Sequence, residues 1–483
     1  MKFKFFFVLV FSILFANAQK DLPTDYLSSD FHKERRDSLR ARMPENSVAV
    51  FFANAIRNRS NDVDYVYHQD PNFYYLTGYK EPNSVLVIFS EDQQNGDDTF
   101  NELIYVQKRD PRMEQWLGVR LGTEGVKNEL GFAHAFNGEE FKDIPVDFST
   151  FDKVLFTDFK NDVRDSKRDE ADLYSLIEQF KSMASYEADP ALAPADESVV
   201  KLETNLDTRS LRTLMGGLRE IKTDDELVLL KKACEISAVG QIEVMRAMHS
   251  DMSEREIQGI HEFIFKKYNS EYEGYPSIVG AGHNGCVLHY IDNNKMSSGN
   301  DLVLMDLGAE YHGYTADVTR TIPANGKYNK EQRAIYDLVY AAQEAGIAKT
   351  VVGATTREID AAGREIINQG LLDLGIIDSL HQGRKYFPHG TSHHIGLDVH
   401  DLNNRGPLQE NMIITVEPGI YIPEGSPCDE KWWGIAVRIE DCILITKDGP
   451  VNYSEMAPRH ADDIEAMMEE ESILNALSLP SLD

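Results

Sequence analysis

Cysteine is scarce: Cys234, Cys286, Cys428 and Cys442 are the only four in 483 residues. No two of them stand at the short spacing of a thiolate zinc site, and a chain of this length needs no disulfide staples, so a zinc ribbon and a stapled scaffold are both excluded. Buried free thiols are the expected state. Basic residues are outnumbered as well. Lys and Arg total 49 against 80 Asp and Glu, leaving a formal charge of −31 that would repel a phosphate backbone; this excludes nucleic acid as a partner. Beyond the first eighteen residues no apolar run is long enough to cross a bilayer core, which needs roughly twenty residues. Stable membrane insertion is therefore not expected. What remains is an ordinary soluble composition, 42% apolar and 27% charged, long enough for two domains.

Residues 1–18 read as an export signal: Lys2 and Lys4, an apolar run from Phe5 to Phe15 broken only by Ser12, then Ala16-Asn17-Ala18 at a cleavage site. The mature chain is expected to begin at Gln19, in the periplasm or outside the cell. Without a cysteine at the cleavage site there is no support for a lipid anchor.

Residues 19–190 alternate helical and strand-like patterns, with strands at Ser47–Phe52, Ser84–Phe89, Leu103–Val106 and Lys153–Thr157, which describes an α/β domain. A linker is placed at 191–206, where the composition shifts to Ala, Pro, Asp and Glu. The second domain, 207–465, opens on a capping box at Thr223–Glu226 and a second at Ser253–Glu256, followed by strands ending in Leu302–Leu307 and Tyr314–Ile322. The order then repeats. A helix over Gln332–Lys349 and another from a Thr355–Glu358 box precede strands at Ile413–Ile422 and Ile435–Thr446, so an internally duplicated α+β domain is expected. Residues 466–483 form an acidic tail.

The strongest chemical signal is acid inside apolar strands. Asp306 follows Leu302-Val303-Leu304-Met305, Asp317 lies beyond a His312-Gly313 turn, Glu417 follows Ile413-Ile414-Thr415-Val416, and Arg438 and Glu440 alternate with Val437 and Ile439. If His312-Gly313 is a two-residue hairpin loop, Asp306 lies opposite Thr319. Asp317 then shares its face at a backbone distance of roughly 7–8 Å. Half-buried acids need compensation. A single one could be a salt-bridge partner; four exceed what Arg438 can pair, and two divalent cations would neutralise them. Four histidines between His389 and His400, set among glycines, add imidazole ligands at a spacing that does not itself say which one binds.

These motifs resemble the pita-bread metallopeptidases, specifically the aminopeptidase P family. The resemblance rests on NGCVLHY at 284–290, MDLGAEYHGYTADVTRT at 305–321, HGTSHHIGLDVHD at 389–401, TVEPGIYI at 415–422 and VRIEDC at 437–442. In the first domain it rests on DYVYHQDPNFYYLTGYKEPNS at 64–84 and QWLGVRLG at 115–122. It implies an α/β N-terminal domain followed by an α+β pita-bread catalytic domain with internal pseudo-two-fold duplication. It further implies two divalent metal ions, manganese by family habit, held by Asp306, Asp317, His393, Glu417 and Glu440, with Asp317 and Glu440 bridging. The implied reaction is hydrolysis of the N-terminal Xaa–Pro bond of peptides by a metal-bridging hydroxide. In that scheme Glu417 is the general base and His289 with His393 stabilises the oxyanion. His389 and His400 shape the proline pocket, Arg438 steadies that pocket and Glu440, and Tyr421 assists through its hydroxyl. Trp116 is implied to reach the site of a neighbouring subunit, hence a homodimer or homotetramer. His394 stands where many relatives carry an apolar aromatic residue, and altered packing is expected there, not a further ligand. A prolidase, which accepts only Xaa-Pro dipeptides, shares the fold and metal set; methionine aminopeptidases usually lack so large a first domain, and a metal-free binding module on this fold should have lost ligands.

Overall fold

The computed structural model describes residues 23–160, 162–166, 168–186, 204–477 and 480; the export signal and most of the expected linker lie outside them. In the first domain six strands form one mixed sheet in the order Ala135–Asn137, Asp98–Val106, Val85–Asn95, Ser47–Phe52, Lys153–Leu155, Leu206–Asp207. Alternation with period two sends Val48, Val50, Val85 and Val87 into an aromatic cluster with Phe148, Phe156 and Phe180. Ala49, Phe51, Leu86 and Ile88, from the same strands, face the other way into a core continuous with that of the second domain. Leu206 and Asp207, expected at the end of the linker and the start of the second domain, instead form the edge strand of this first sheet, parallel to Lys153–Leu155.

In the second domain the helix Asp224–Ala247 starts at Thr223, whose side chain and that of Glu226 satisfy each other's backbone N–H groups. Thr355 and Glu358 do the same for Thr356–Asp373, and so do Asn329 and Gln332 for Lys330–Ile347, a box the sequence reading missed. At Ser253 only the serine half of the box forms. Two helix–helix–strand halves result. The first holds Asp224–Ala247 and Glu254–Lys267 and the strands from Ile278 to Pro323; the second holds Lys330–Ile347 and Thr356–Asp373 and the strands from Ile413 to Asn452. Among the described residues no helix is long and apolar enough to cross a membrane.

The long strands expected in each half are interrupted, and the interruptions position the acids. Leu302–Asp306 ends at Asp306 and resumes as Ala309–Tyr311; Tyr314–Thr315 stops before Asp317 and resumes as Thr319–Pro323. Ile413–Val416 stops before Glu417 and resumes as Gly419–Ile422; Ile435–Arg438 stops before Glu440 and resumes as Asp441–Thr446. The physical causes are local. A Cβ at Gly308 would collide with the Ala316 carbonyl, and Pro418 has no N–H to donate to a ladder. The hairpin register is as the sequence suggests: Asp306 faces Thr319, and His312 and Gly313, at φ 51° and 89°, form the two-residue turn between Tyr311 and Tyr314. Asp317, however, lies in the gap between strands and not within one.

One buried ion pair ties the halves together. Arg320, fully buried, donates to Asp441 at 2.8 Å and to the carbonyls of Thr319, Glu440, Ala457 and Pro458, so its charge and all its hydrogens are satisfied.

Buried histidine makes the fold sensitive to acid. His261, fully buried on the helix Glu254–Lys267, has only the Ile257 carbonyl for its Nδ1 and no partner for Nε2. Burial lowers its pKa to about 4. The unfolded chain, with a histidine near 6.5, therefore binds more protons between these values, and stability falls as pH drops from about 6.5 towards 4, by an order of about 3 kcal/mol in full. Thermal melts of the wild type and of His261→Leu at pH 7 and pH 5 are expected to diverge, the variant losing less Tm on acidification. Equal losses would assign the acid sensitivity elsewhere.

Candidate metal centre and active site

A cleft of about 550 Å³ lies where the strand interruptions of the two halves meet. Asp306, Asp317, His393, Glu417 and Glu440 all line it, together with His289, His389, His400 and Arg438. The five residues expected as metal ligands, up to 134 positions apart in sequence, are thus brought together on one surface.

His393 is the hub. Its Nδ1 is 3.2 Å from the His394 carbonyl, which can only accept, so Nδ1 carries the hydrogen and the Nε2 lone pair is left facing the acids. Nε2 is 3.3 Å from Asp317, 3.7 Å from Glu417 and 4.0 Å from Glu440. The backbone fixes this position. His393 N donates to Thr415 Oγ1 at 3.1 Å, and Thr415 N to the His393 carbonyl at 2.8 Å, so the histidine segment is laced to the strand that ends at Glu417.

The acids sense one another strongly. Burial raises the pKa of Glu417 to about 8, with Glu440 adding to the effect. Burial and the neighbouring carboxylates push Asp317 and Glu440 well above the usual range. Asp306 is the exception: burial opposes its ionisation, but Arg438 and the Tyr275 hydroxyl outweigh that and hold its pKa low. Tyr275 is a functional residue that the sequence reading missed. Its hydroxyl lies 2.6 Å from Asp306 and 2.5 Å from Asp317, one phenolic proton between two carboxylates. Nothing in the spacing around Glu273-Gly274-Tyr275-Pro276 marks it out; only the fold brings it 31 and 42 residues along to those acids.

A divalent cation fits these groups. Glu440 takes a hydrogen bond from Thr319 Oγ1 at 2.6 Å on one oxygen, while its other oxygen is buried with no partner. Ligating atoms of Asp317, His393 and Glu440 lie within 4.8 Å of one another. Oxygen donors with one imidazole suit magnesium, manganese or zinc better than copper(I), which thiolates select.

Around these acids runs a second chain of contacts. Arg438 pairs with Asp306 and donates from Nη1 to the Tyr421 hydroxyl at 2.9 Å. Its Nε donates to Thr319 Oγ1 at 3.3 Å, which in turn donates to Glu440, and its charge favours the ionised form of Glu440. Tyr421 lies behind the cleft wall and bonds His389 Nε2 at 2.8 Å. His389 Nδ1 donates to the Gly390 carbonyl at 2.8 Å, and because Tyr421 Oη already accepts from Arg438, its own proton is free to go to Nε2; burial with Arg438 nearby lowers the His389 pKa to about 4, which favours this neutral tautomer. His400 meets the His393 ring edge-on at 4.5 Å between centroids. His289 is exposed on the rim. His394 is buried, away from the cleft lining, as a packing residue would be. Trp116 does not line the cleft of its own chain: it stands 82% exposed on the helix Pro111–Leu117 of the first domain. All four cysteines are free, Cys234 and Cys442 buried but Cys286 and Cys428 only half-buried.

Comparison with known proteins agrees with this geometry. The family model for metallopeptidase family M24 matches residues 228–447, and that for the aminopeptidase P N-terminal domain matches 32–152. The Xaa-Pro aminopeptidase of Haemophilus influenzae is 34% identical over 456 residues, 92% of this chain and 98% of that protein. The structure of Escherichia coli aminopeptidase P with the inhibitor Pro-Leu is 31% identical and superimposes with a TM-score of 0.80, covering 92% of this chain and 98% of that one. A zinc-substituted form of the same E. coli enzyme in complex with product gives a TM-score of 0.79 at 31% identity, over 92% and 98% of the two chains. With its α/β first domain and pita-bread second domain, this chain belongs to the aminopeptidase P branch of metallopeptidase family M24.

Proposed function

We propose that this chain is an exported Xaa-Pro aminopeptidase that uses two divalent ions, manganese in the cell, to release the residue preceding proline from the N-terminus of peptides. The observation that carries this reading is the convergence of four carboxylates and one imidazole at strand interruptions, in a cleft also lined by His389 and His400. Asp306, Asp317, His393, Glu417 and Glu440 would hold the ions, which when bound polarise the scissile carbonyl and lower the pKa of water.

The chain's own groups do the rest. Glu417 takes the proton of the attacking water and returns it to the departing proline nitrogen; its carboxylate lies 3.6 Å from His389 Nδ1, so it faces the proline side of the cleft. His289 would stabilise negative charge on the carbonyl oxygen, and His393 would do so only through the ion it holds, since its Nδ1–H is taken by the His394 carbonyl. His389 and His400 shape the pocket for proline, with Tyr421 and Arg438 holding His389 at its angle. Tyr275, kept protonated by burial and by Asp306 and Asp317, orients both carboxylates. Exposed Met113, Trp116, Leu117 and Val119 on one segment of the first domain support a homodimer or homotetramer in which Trp116 reaches a neighbour's site. N-terminal sequencing of the secreted form tests export: a start at Gln19 is expected.

A prolidase must close its site around the carboxylate that follows proline, whereas an aminopeptidase leaves that end open for further residues. Pro-Leu, the inhibitor in the E. coli structure, is what a Xaa-Pro-Leu peptide would leave behind. Xaa-Pro-Yaa peptides are expected to be cleaved with higher kcat/KM than Xaa-Pro dipeptides under manganese, and proline-to-alanine replacement to cost about 1–3 kcal/mol, the scale of a shaped apolar pocket. Hydrolysis of dipeptides with no action on tripeptides would make the enzyme a prolidase.

A further inference from the structure

We infer that a second cavity beside the catalytic cleft is a subsite for a carboxylate on the residue that follows the proline, with Arg384 as its cationic anchor; the inference rests on the aminopeptidase reading above. This cavity, of about 470 Å³, is lined by Asp360, Arg364, His381 and Arg384, and shares His389 and Gly390 with the cleft. A Cβ on Gly390 would meet no atom beyond its chain neighbours within 4 Å, so the rim the two cavities share is without a side chain at that point. His389 faces the proline side. A peptide chain leaving the proline pocket past Gly390 enters this cavity with its next residue.

Charge decides what that residue should carry. Asp360 is already engaged, accepting from Arg364 at 2.7 Å and from Thr391 Oγ1 at 2.9 Å. Arg364 is engaged too: it bonds the carbonyls of Phe387, at 2.8 Å, and His389, and its guanidinium stacks on the Phe387 ring, which makes it the support of the His389 segment. Arg384 has no hydrogen bond or ion pair among the described residues. Two guanidinium groups against one carboxylate leave this cavity net positive in a chain of formal charge −31, next to a cleft lined by four acids. Two dications would balance the four acids of the cleft, whereas the positive charge of this cavity has no such partner, so a substrate carboxylate would be attracted here, and Arg384 offers it a planar pair of donors.

The carboxylate can be the free C-terminus of a tripeptide or the side chain of Asp or Glu, and paired substrates separate the two. With full-length protein under manganese, kcat/KM is measured for Ala-Pro-Ala as free acid and as amide, and for Ala-Pro-Asp-amide and Ala-Pro-Asn-amide. At least one acidic member is expected to be preferred over its neutral partner by about five-fold, a preference that weakens with added salt. In Arg384→Gln the preference should vanish while kcat/KM on the neutral amides stays at the wild-type value. Preference for the free acid alone assigns the terminus, and preference for the Asp peptide alone assigns the side chain. Unchanged acid-to-neutral ratios in the variant, or no preference in the wild type, overturns the subsite while leaving the aminopeptidase reading intact. Failure of wild-type protein to cleave any of the four peptides overturns both.

Discussion

Asp317→Asn and Glu440→Gln are each expected to abolish turnover, by on the order of 10³-fold or more, and to lower bound divalent metal in the same preparation. Both acids face His393 Nε2, at 3.3 and 4.0 Å, and both are buried where neither can be replaced by solvent. Each amide keeps the shape but removes a unit of negative charge from a cluster that must balance two dications. The paired readout matters because a loss of activity alone could come from misplacing a proton donor. Metal analysis of protein purified without chelator, together with kcat/KM on a Xaa-Pro-Yaa peptide, checks it. Near-normal activity with unchanged metal content would falsify the dinuclear assignment. The fold should survive both changes, since the carboxyl groups of Asp317 and Glu440 are held above the usual pKa range by burial and by each other, so neutralising one removes a repulsion.

Glu417→Ala is expected to lose far more activity than Trp116→Ala. Glu417 lines the cleft, lies 3.7 Å from His393 Nε2, and is proposed for both ligation and proton transfer, a role whose removal costs about 10²–10⁴-fold. Trp116 is exposed and is proposed as a single recognition contact, so its loss should appear chiefly in KM and in the oligomeric state seen by sedimentation. If Trp116→Ala proved the more damaging in kcat, the roles given to these two residues would be reversed.

The acids were legible in the sequence because carboxylates in apolar runs are anomalous wherever they occur, whereas the choice of His393 among four histidines came only from the family resemblance; the register of Asp306 against Thr319 followed from a two-residue turn alone. What was not legible came from tertiary approach. The interruption after Asp306 depends on the Ala316 carbonyl crowding Gly308, which only the fold reveals, whereas the break at Pro418 was open to view in the sequence, since proline has no N–H for a ladder, and reading Ile413–Ile422 as one strand overlooked it. Tyr275 looks like any core tyrosine until Asp306 and Asp317 are folded over it. The pairing of Arg438 with Asp306, 132 residues away, could not be read from the sequence, because it is made only when the two halves meet. The edge strand Leu206–Asp207 is too short to show a period, and only its parallel partner Lys153–Leu155 defines it.

Because Asp306 and Asp317 come from one half of the second domain and Glu417 and Glu440 from the other, neither half alone carries more than two of the acids. The seam between them is closed by contacts spanning about a quarter of the chain, such as Thr319 to Glu440, 121 residues apart. Long-range closure of this kind comes late and slowly in folding. Affinity for a divalent ion therefore emerges only once the halves have met, and in a refolding experiment metal uptake would serve as a clock for that last event, lagging behind the recovery of helical circular dichroism.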